Sequence, residues 1–208
     1  MDTVKTELDI GVGDQRVAPG DHICVVYSSS DERDDLVRQY LRTALNSGDK
    51  CVCVLDTAKK DDVLAGIKNE GIDAESCIES QQLELLRSAD TFLRSGRFSA
   101  VDSIGFWKAA IAGAMNSARF PHIRAIGDWA STMQEAPGNR ELAQFELDLN
   151  QMLALYPQVM MCMYDMSCFD GSFLVDIVST HPKVLVDGAV IENPYFLKPQ
   201  DWLHLTEG

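Results

Sequence analysis

From residue 20 onward, short apolar runs alternate with amphipathic stretches. His22 to Tyr27 (HICVVY) is β-branched and aromatic, too short for a helix, and bounded by Pro19-Gly20-Asp21 and Ser28-Ser29-Ser30; it predicts a buried strand. After it, the serines and Asp31 can cap a helix. Leu36, Val37, Tyr40, Leu41, Ala44 and Leu45 give that helix an apolar stripe, and Ser47-Gly48 ends it. Lys50 to Leu55 (KCVCVL) reads as the second buried strand. The alternation continues with a helix over Asp61 to Glu70, a strand over Leu83 to Leu86 and a helix over Ser99 to Ala118. A strand over Ile123 to Gly127, an amphipathic helix over Asn139 to Tyr156 and a strand over Val159 to Tyr164 follow. Phe173 to Thr180 then reads as a helix stopped by His181-Pro182. Asp187-Gly188 between apolar runs predicts a hairpin of Val184 to Val186 with Ala189 to Glu192. Apolar strands separated by amphipathic helices indicate an α/β fold: a mainly parallel sheet covered on both faces, with an antiparallel hairpin at its edge. Residues 1 to 19 have weak periodicity and read as a partly ordered N-terminal arm, and residues 20 to 208 as the domain.

The chain has 208 residues, 46% of them hydrophobic, enough for a core of ordinary size in one large domain. Its 18 Lys and Arg against 32 Asp and Glu give a formal charge of −14 with no basic stripe. That argues against direct nucleic-acid binding, which draws its non-specific affinity from Lys and Arg displacing counterions. No apolar run approaches the roughly 20 residues of a membrane span. The first residues carry Asp2, Glu7, Asp9 and Asp14 rather than a basic flank and an apolar stretch, so a cytoplasmic location is expected. The six cysteines sit mostly inside apolar runs, as reduced buried thiols do.

Ligands of open α/β sheets bind beyond the carboxyl ends of the strands, so the loop after the first strand is where a phosphate cradle would lie. Here Ser28 to Asp35 (SSSDERDD) has neither glycine nor lysine and carries four acidic residues. A triphosphate would be repelled, which disfavours nucleotide hydrolysis of the usual kind.

Three blocks together resemble a known family. Gly20 to Asp56, Ile126 to Ser131 (IGDWAS) and Cys162 to Phe196 are similar, in order and spacing, to the MEDS domain, the methanogen/methylotroph sensory domain. The resemblance spans essentially the whole chain after Gly20. It implies a RecA-like three-layer sandwich of the KaiC type that has lost its ATP-binding loop. It further implies a small-molecule sensor of bacterial and archaeal signalling or transcription regulation, proposed to recognise simple hydrocarbon derivatives. Family members often carry a DNA-binding or kinase module beside the domain. This chain has no room for one, so its output is expected to pass through a protein partner or a fused module, and a homodimer is among the expected arrangements.

His22 and Cys24 share one face of their strand and can meet a ligand or a soft metal; the alternative is a hydrogen-bonded core histidine beside an apolar thiol. The resemblance favours His22, which matches a characteristic position of the family's first block. Cys51 and Cys53 share a face of the next strand. They lack the knuckle spacing of structural zinc sites, and the two strands are usually not adjacent in RecA-like sheets, so no resident metal or cofactor is expected. Asp128-Trp129 and Tyr164-Asp165, each closing a strand, can supply polar groups and an apolar wall to a shared pocket rim; a turn cap beside a packing tryptophan is the plain alternative for the first pair. With Tyr27, these seven residues (His22, Cys24, Tyr27, Asp128, Trp129, Tyr164 and Asp165) form the expected ligand site. Glu146 and Asn150, at i and i+4 of the amphipathic helix, can point one polar pair toward the pocket, but read first as a solvated face. No catalytic motif appears at meaningful spacing, so a non-catalytic sensor is expected. The alternatives are a degenerate RecA-like nucleotide binder and a His/Cys metal or redox sensor.

Overall fold

The computed structural model describes residues 7–13, 16–56, 60–129, 139–156, 158–198 and 200–201. Seven strands form one sheet in the order β5-β4-β6-β7-β3-β8-β9. They are β3 (His22–Tyr27), β4 (Lys50–Val54), β5 (Leu83–Leu86), β6 (Ile123–Asp128), β7 (Val159–Asp165), β8 (Lys183–Val186) and β9 (Ala189–Glu192). All neighbours are parallel except β8 and β9, which form the hairpin read from Asp187-Gly188. Both turn residues take positive φ, 48° and 73°, the conformation a two-residue hairpin of matching twist requires.

Among the described residues, six helices cover the sheet: α1 (Ser30–Asn46), α2 (Lys60–Asn69), α3 (Ala74–Glu79), α4 (Ala100–Ser117), α5 (Asn139–Leu155) and α6 (Gly171–Ser179). Alternation along each strand sends neighbouring side chains to opposite faces and makes two cores. Ile23, Val25 and Tyr27 of β3 join Cys51, Cys53, Ile126, Met161 and Met163 under α1, α2 and α3. Cys24 joins Val52, Ala125, Trp129, Met160, Cys162 and Tyr164 under α4, α5 and α6. The architecture is the three-layer sandwich expected.

Three elements add to the sequence reading. Within the stretch read as an arm, β1 (Leu8–Asp9) pairs antiparallel with β2 (Arg16–Val17), and Leu8, Ile10, Val12 and Val17 are buried in the α1-side core. The short helix α3, capped by the Asp73 side chain accepting from Ser76 N–H, fills the connection into β5.

Candidate functional site

Strand polarity divides the seven expected residues between two places. His22, Cys24, Trp129 and Tyr164 look toward α4, α5 and α6, while Tyr27 and Asp128 look toward α1. Asp165, half-buried at the end of β7, accepts from the Ser167 amide and hydroxyl. The shared rim formed by Asp128-Trp129 and Tyr164-Asp165 is therefore not assembled. The Tyr27 hydroxyl instead donates to Asp128 Oδ1 at 3.0 Å within the α1-side core. Trp129 stacks on Phe92, with ring centroids 4.5 Å apart, and meets Phe145 edge-on. Cys24 is buried near Glu146; burial, then that charge, pushes its thiol far up.

His22 instead belongs to a polar cluster sealed inside the opposite core. Its Nε2 lies 3.1 Å from Glu146 Oε2 and 3.3 Å from Cys162 Sγ. His181 Nε2 lies 3.5 Å from the same carboxylate oxygen, and the two imidazole rings are 4.1 Å apart. Tyr164 donates to Glu146 Oε1 at 2.5 Å. His22, Glu146, Cys162 and His181 are all 0 or 1% exposed, so no bulk water screens them. Four elements deliver them: His22 opens β3, Cys162 lies mid-β7, Glu146 projects from α5, and His181 follows α6 where Pro182 prevents further helix. The expectation that Glu146 and Asn150 form a solvated face is overturned. Helix α5 is wedged between α4 and α6, so the i, i+4 pair points into the sheet.

The outer partners fix both histidine tautomers. Asn150 Nδ2 donates to the carbonyls of Glu146 and Thr180, which leaves Asn150 Oδ1 as the acceptor facing His22 Nδ1 at 3.0 Å. His22 Nδ1 must therefore carry a proton. His181 Nδ1 lies 2.8 Å from the Ile177 carbonyl, which can only accept, so it too is protonated. In a neutral ring the Nε2 atoms then present lone pairs to Glu146. Burial, then the neighbouring His22, pushes the His181 imidazole down to about 3, so it is neutral at pH 7. Burial alone would raise the Glu146 carboxyl; a His22 ring that also carries a proton on Nε2 donates to it and, with the hydrogen bond from Tyr164, holds it below the usual range. Burial, then the charge of Glu146, drives the Cys162 thiol far up.

Cys51 and Cys53 lie on the other face, and β4 is separated from β3 by β6 and β7, so they do not meet His22 and Cys24. Burial pushes the Cys51 thiol up to about 12, the range of an inert core thiol.

At the phosphate-cradle position, Ser29 caps α1 by accepting from the Glu32 amide, and the Glu32 carboxylate accepts from both Ser28 N–H and Ser28 Oγ at 2.9 Å. The helix thus supplies its own anion where a phosphate would approach.

The profile of the family described as MEthanogen/methylotroph, DcmR Sensory domain matches residues 21–182. This chain belongs to the MEDS family. The match takes in His22, Glu146, Cys162 and His181. No curated protein matches the sequence. Among solved structures, the MEDS domain is similar to the flagellar accessory protein FlaH of Methanocaldococcus jannaschii, at 12% identity and a TM-score of 0.57, over 89% of this chain and 84% of that one. It is also similar to the KaiC-like protein PH0186 of Pyrococcus horikoshii OT3, at 12% identity and a TM-score of 0.59, over 86% and 79%. These likenesses establish the RecA/KaiC-like fold of the MEDS domain. No helix among its described residues is long and apolar enough to cross a membrane.

Sequence reasoning placed His22 in the site but missed its three partners as a set. In the sequence Cys162 shows only as the first residue of a resembling block, and His181 as a helix stop. The usable signal was jointly topological: β7 beside β3, and the helix before β7 laid over both.

Proposed function

We propose that this MEDS sensory domain binds a small organic molecule, a simple hydrocarbon derivative, without transforming it, and reports occupancy to a protein partner. The observation that carries this reading is the self-capped α1 N-terminus: with Glu32 on Ser28 and Ser29, the position of a phosphate cradle repels nucleotide. Tyr27, Asp128 and Arg33 pack behind it; burial opposes the Arg33 charge, but Asp34, and then Asp128 and Tyr27, hold its guanidinium above the ordinary value.

A cavity of about 570 Å³ opens farther along the carboxyl edge, at the ends of β4 and β5. Leu55, Val63, Leu85 and Leu86 give it apolar walls, and Asp56, Lys60, Asp61, Arg87 and Asp90 supply charged groups. That lining suits a compact ligand with an apolar body and a polar group. Occupancy there would press on α2 and on the turn after β5, both of which reach the surface and can alter a partner contact.

Thermal shift and native mass spectrometry should be run on the full chain with a panel of short-chain alcohols, amines and halogenated hydrocarbons, and with ATP and GTP in parallel. The expected result is stabilisation by one organic class, lost in Val63→Arg, with no response to nucleotides. A nucleotide-dependent shift, or turnover of the bound compound, would overturn the reading.

A further inference from the structure

We propose that His22, Glu146, Cys162 and His181 form a closed four-coordinate site for a divalent transition-metal cation of the zinc class. The site is distinct from the cavity at the ends of β4 and β5 and does not depend on what binds there.

Geometry carries the proposal first. One ligand atom from each residue falls in a group whose members all lie within 4.8 Å of one another. Four of the distances are 3.1, 3.3, 3.5 and 3.5 Å. A tetrahedral zinc ion with bonds of about 2.0–2.1 Å to nitrogen or oxygen and about 2.3 Å to sulfur separates its ligand atoms by roughly 3.3–3.6 Å. The side chains are thus already close to the spacing of a coordination shell, and the remaining distances need only small rotamer adjustments.

The second support is a defect that hydrogen bonding does not repair. His181 Nε2 is buried and has no hydrogen-bond partner among the described residues. Its Nδ1 proton is committed to the Ile177 carbonyl, so a bare lone pair faces the Glu146 carboxylate. Two electron-rich atoms in that relation repel each other. A cation between them would turn the repulsion into two bonds.

Outer contacts resemble those that orient metal ligands. His22 Nδ1 donates to Asn150, His181 Nδ1 to a main-chain carbonyl, and the second oxygen of Glu146 accepts from Tyr164, leaving Oε2 to turn inward. Charge is also consistent with complete burial: a divalent ion with one thiolate, one carboxylate and two neutral imidazoles sums to zero. The mixed nitrogen, sulfur and oxygen donor set suits zinc or cobalt(II) and disfavours magnesium and calcium, which prefer oxygen alone. Because the ligands come from β3, β7, α5 and the α6–β8 junction, the ion would tie α5 and the end of α6 to the sheet.

The test uses the full chain, stripped with a chelator, confirmed folded by circular dichroism, and titrated with cobalt(II) and zinc. The expected result is one equivalent of metal per chain after gel filtration, a higher unfolding temperature, tetrahedral cobalt d–d bands and a near-ultraviolet thiolate charge-transfer band. Cys162→Ser should abolish the charge-transfer band while Cys168→Ser, altering the exposed cysteine, retains it. If Cys162→Ser does not fold, His181→Gln serves instead, with loss of at least tenfold in zinc affinity expected. A folded wild-type chain that takes up no cobalt, or whose charge-transfer band survives in Cys162→Ser, would overturn the proposal. Failure of the organic ligand panel would leave it untouched.

Discussion

The Tyr164 hydroxyl donates to Glu146 Oε1 at 2.5 Å, and both groups are fully buried. Removing that hydroxyl leaves a carboxylate oxygen without its donor in a site water cannot enter, and hydrogen bonds to charged groups contribute about 1.5–3 kcal/mol. Tyr164→Phe should therefore lower the unfolding free energy by about that amount. Urea titration in excess chelator, which reports the metal-free protein, checks it; an unchanged midpoint would mean Glu146 is protonated or satisfied otherwise. The same residues mark the limit of sequence reading. Tyr164 and His22 stood out because they sit on recognisable strands. Glu146 looked solvated because a lone helix cannot reveal that neighbours cover its flanks. His181 carried an ordinary stop signal that masked its second role. Side-chain chemistry was visible, but the convergence of four side chains from different elements depends on which strands become neighbours, and local pattern does not encode that.

Helix α1 begins where the apolar strand β3 ends, and its start is set by Ser29, whose hydroxyl accepts from the Glu32 amide at 3.2 Å. Ser29→Ala removes that acceptor and should cost about 1 kcal/mol in unfolding free energy. Ser29→Asn, another good cap, should restore most of it, and equal midpoints for the alanine and asparagine variants in urea would argue that the cap contributes nothing. Elements of this kind were legible because several local signals coincide: apolar period, capping residue and flanking turn. The strand Leu83–Leu86 was read with its observed bounds for this reason, and the Asp187-Gly188 hairpin because its turn requires positive φ at both residues. The pairing of Leu8–Asp9 with Arg16–Val17 carries no such signal. Two-residue strands show no period, and their order comes from packing on α1 rather than from propensity.

At the scale of the whole molecule, Arg124 of β6 joins parts that are far apart in sequence. Its guanidinium bonds Asp49 Oδ2 at 2.7 Å, donates to the carbonyl of Asp9 in the N-terminal hairpin, and lies over the Tyr40 ring of α1 at 5.7 Å. Arg124 and Asp49 are each 1% exposed, so deleting one partner strands a charge in the core. Breaking such a pair typically costs about 3–5 kcal/mol, a large share of the roughly 5–15 kcal/mol that holds a domain together. Arg124→Met should therefore destabilise strongly, whereas Arg124→Met with Asp49→Leu, which removes both charges, should recover much of the loss. The hairpin has an independent hold. Gly11, at φ +78°, lies so close to Thr43 and Gln39 of α1 that a side chain there would collide with them. Gly11→Ala should thus lift the hairpin from α1 without stranding Asp49. Hydrogen exchange over residues 7–13 separates the cases: both single variants should expose the hairpin amides, but only Arg124→Met should also lower the urea midpoint by the cost of an unpaired buried charge. If Gly11→Ala lowered it as far, the hairpin rather than the ion pair would be the principal support of this end of the sheet.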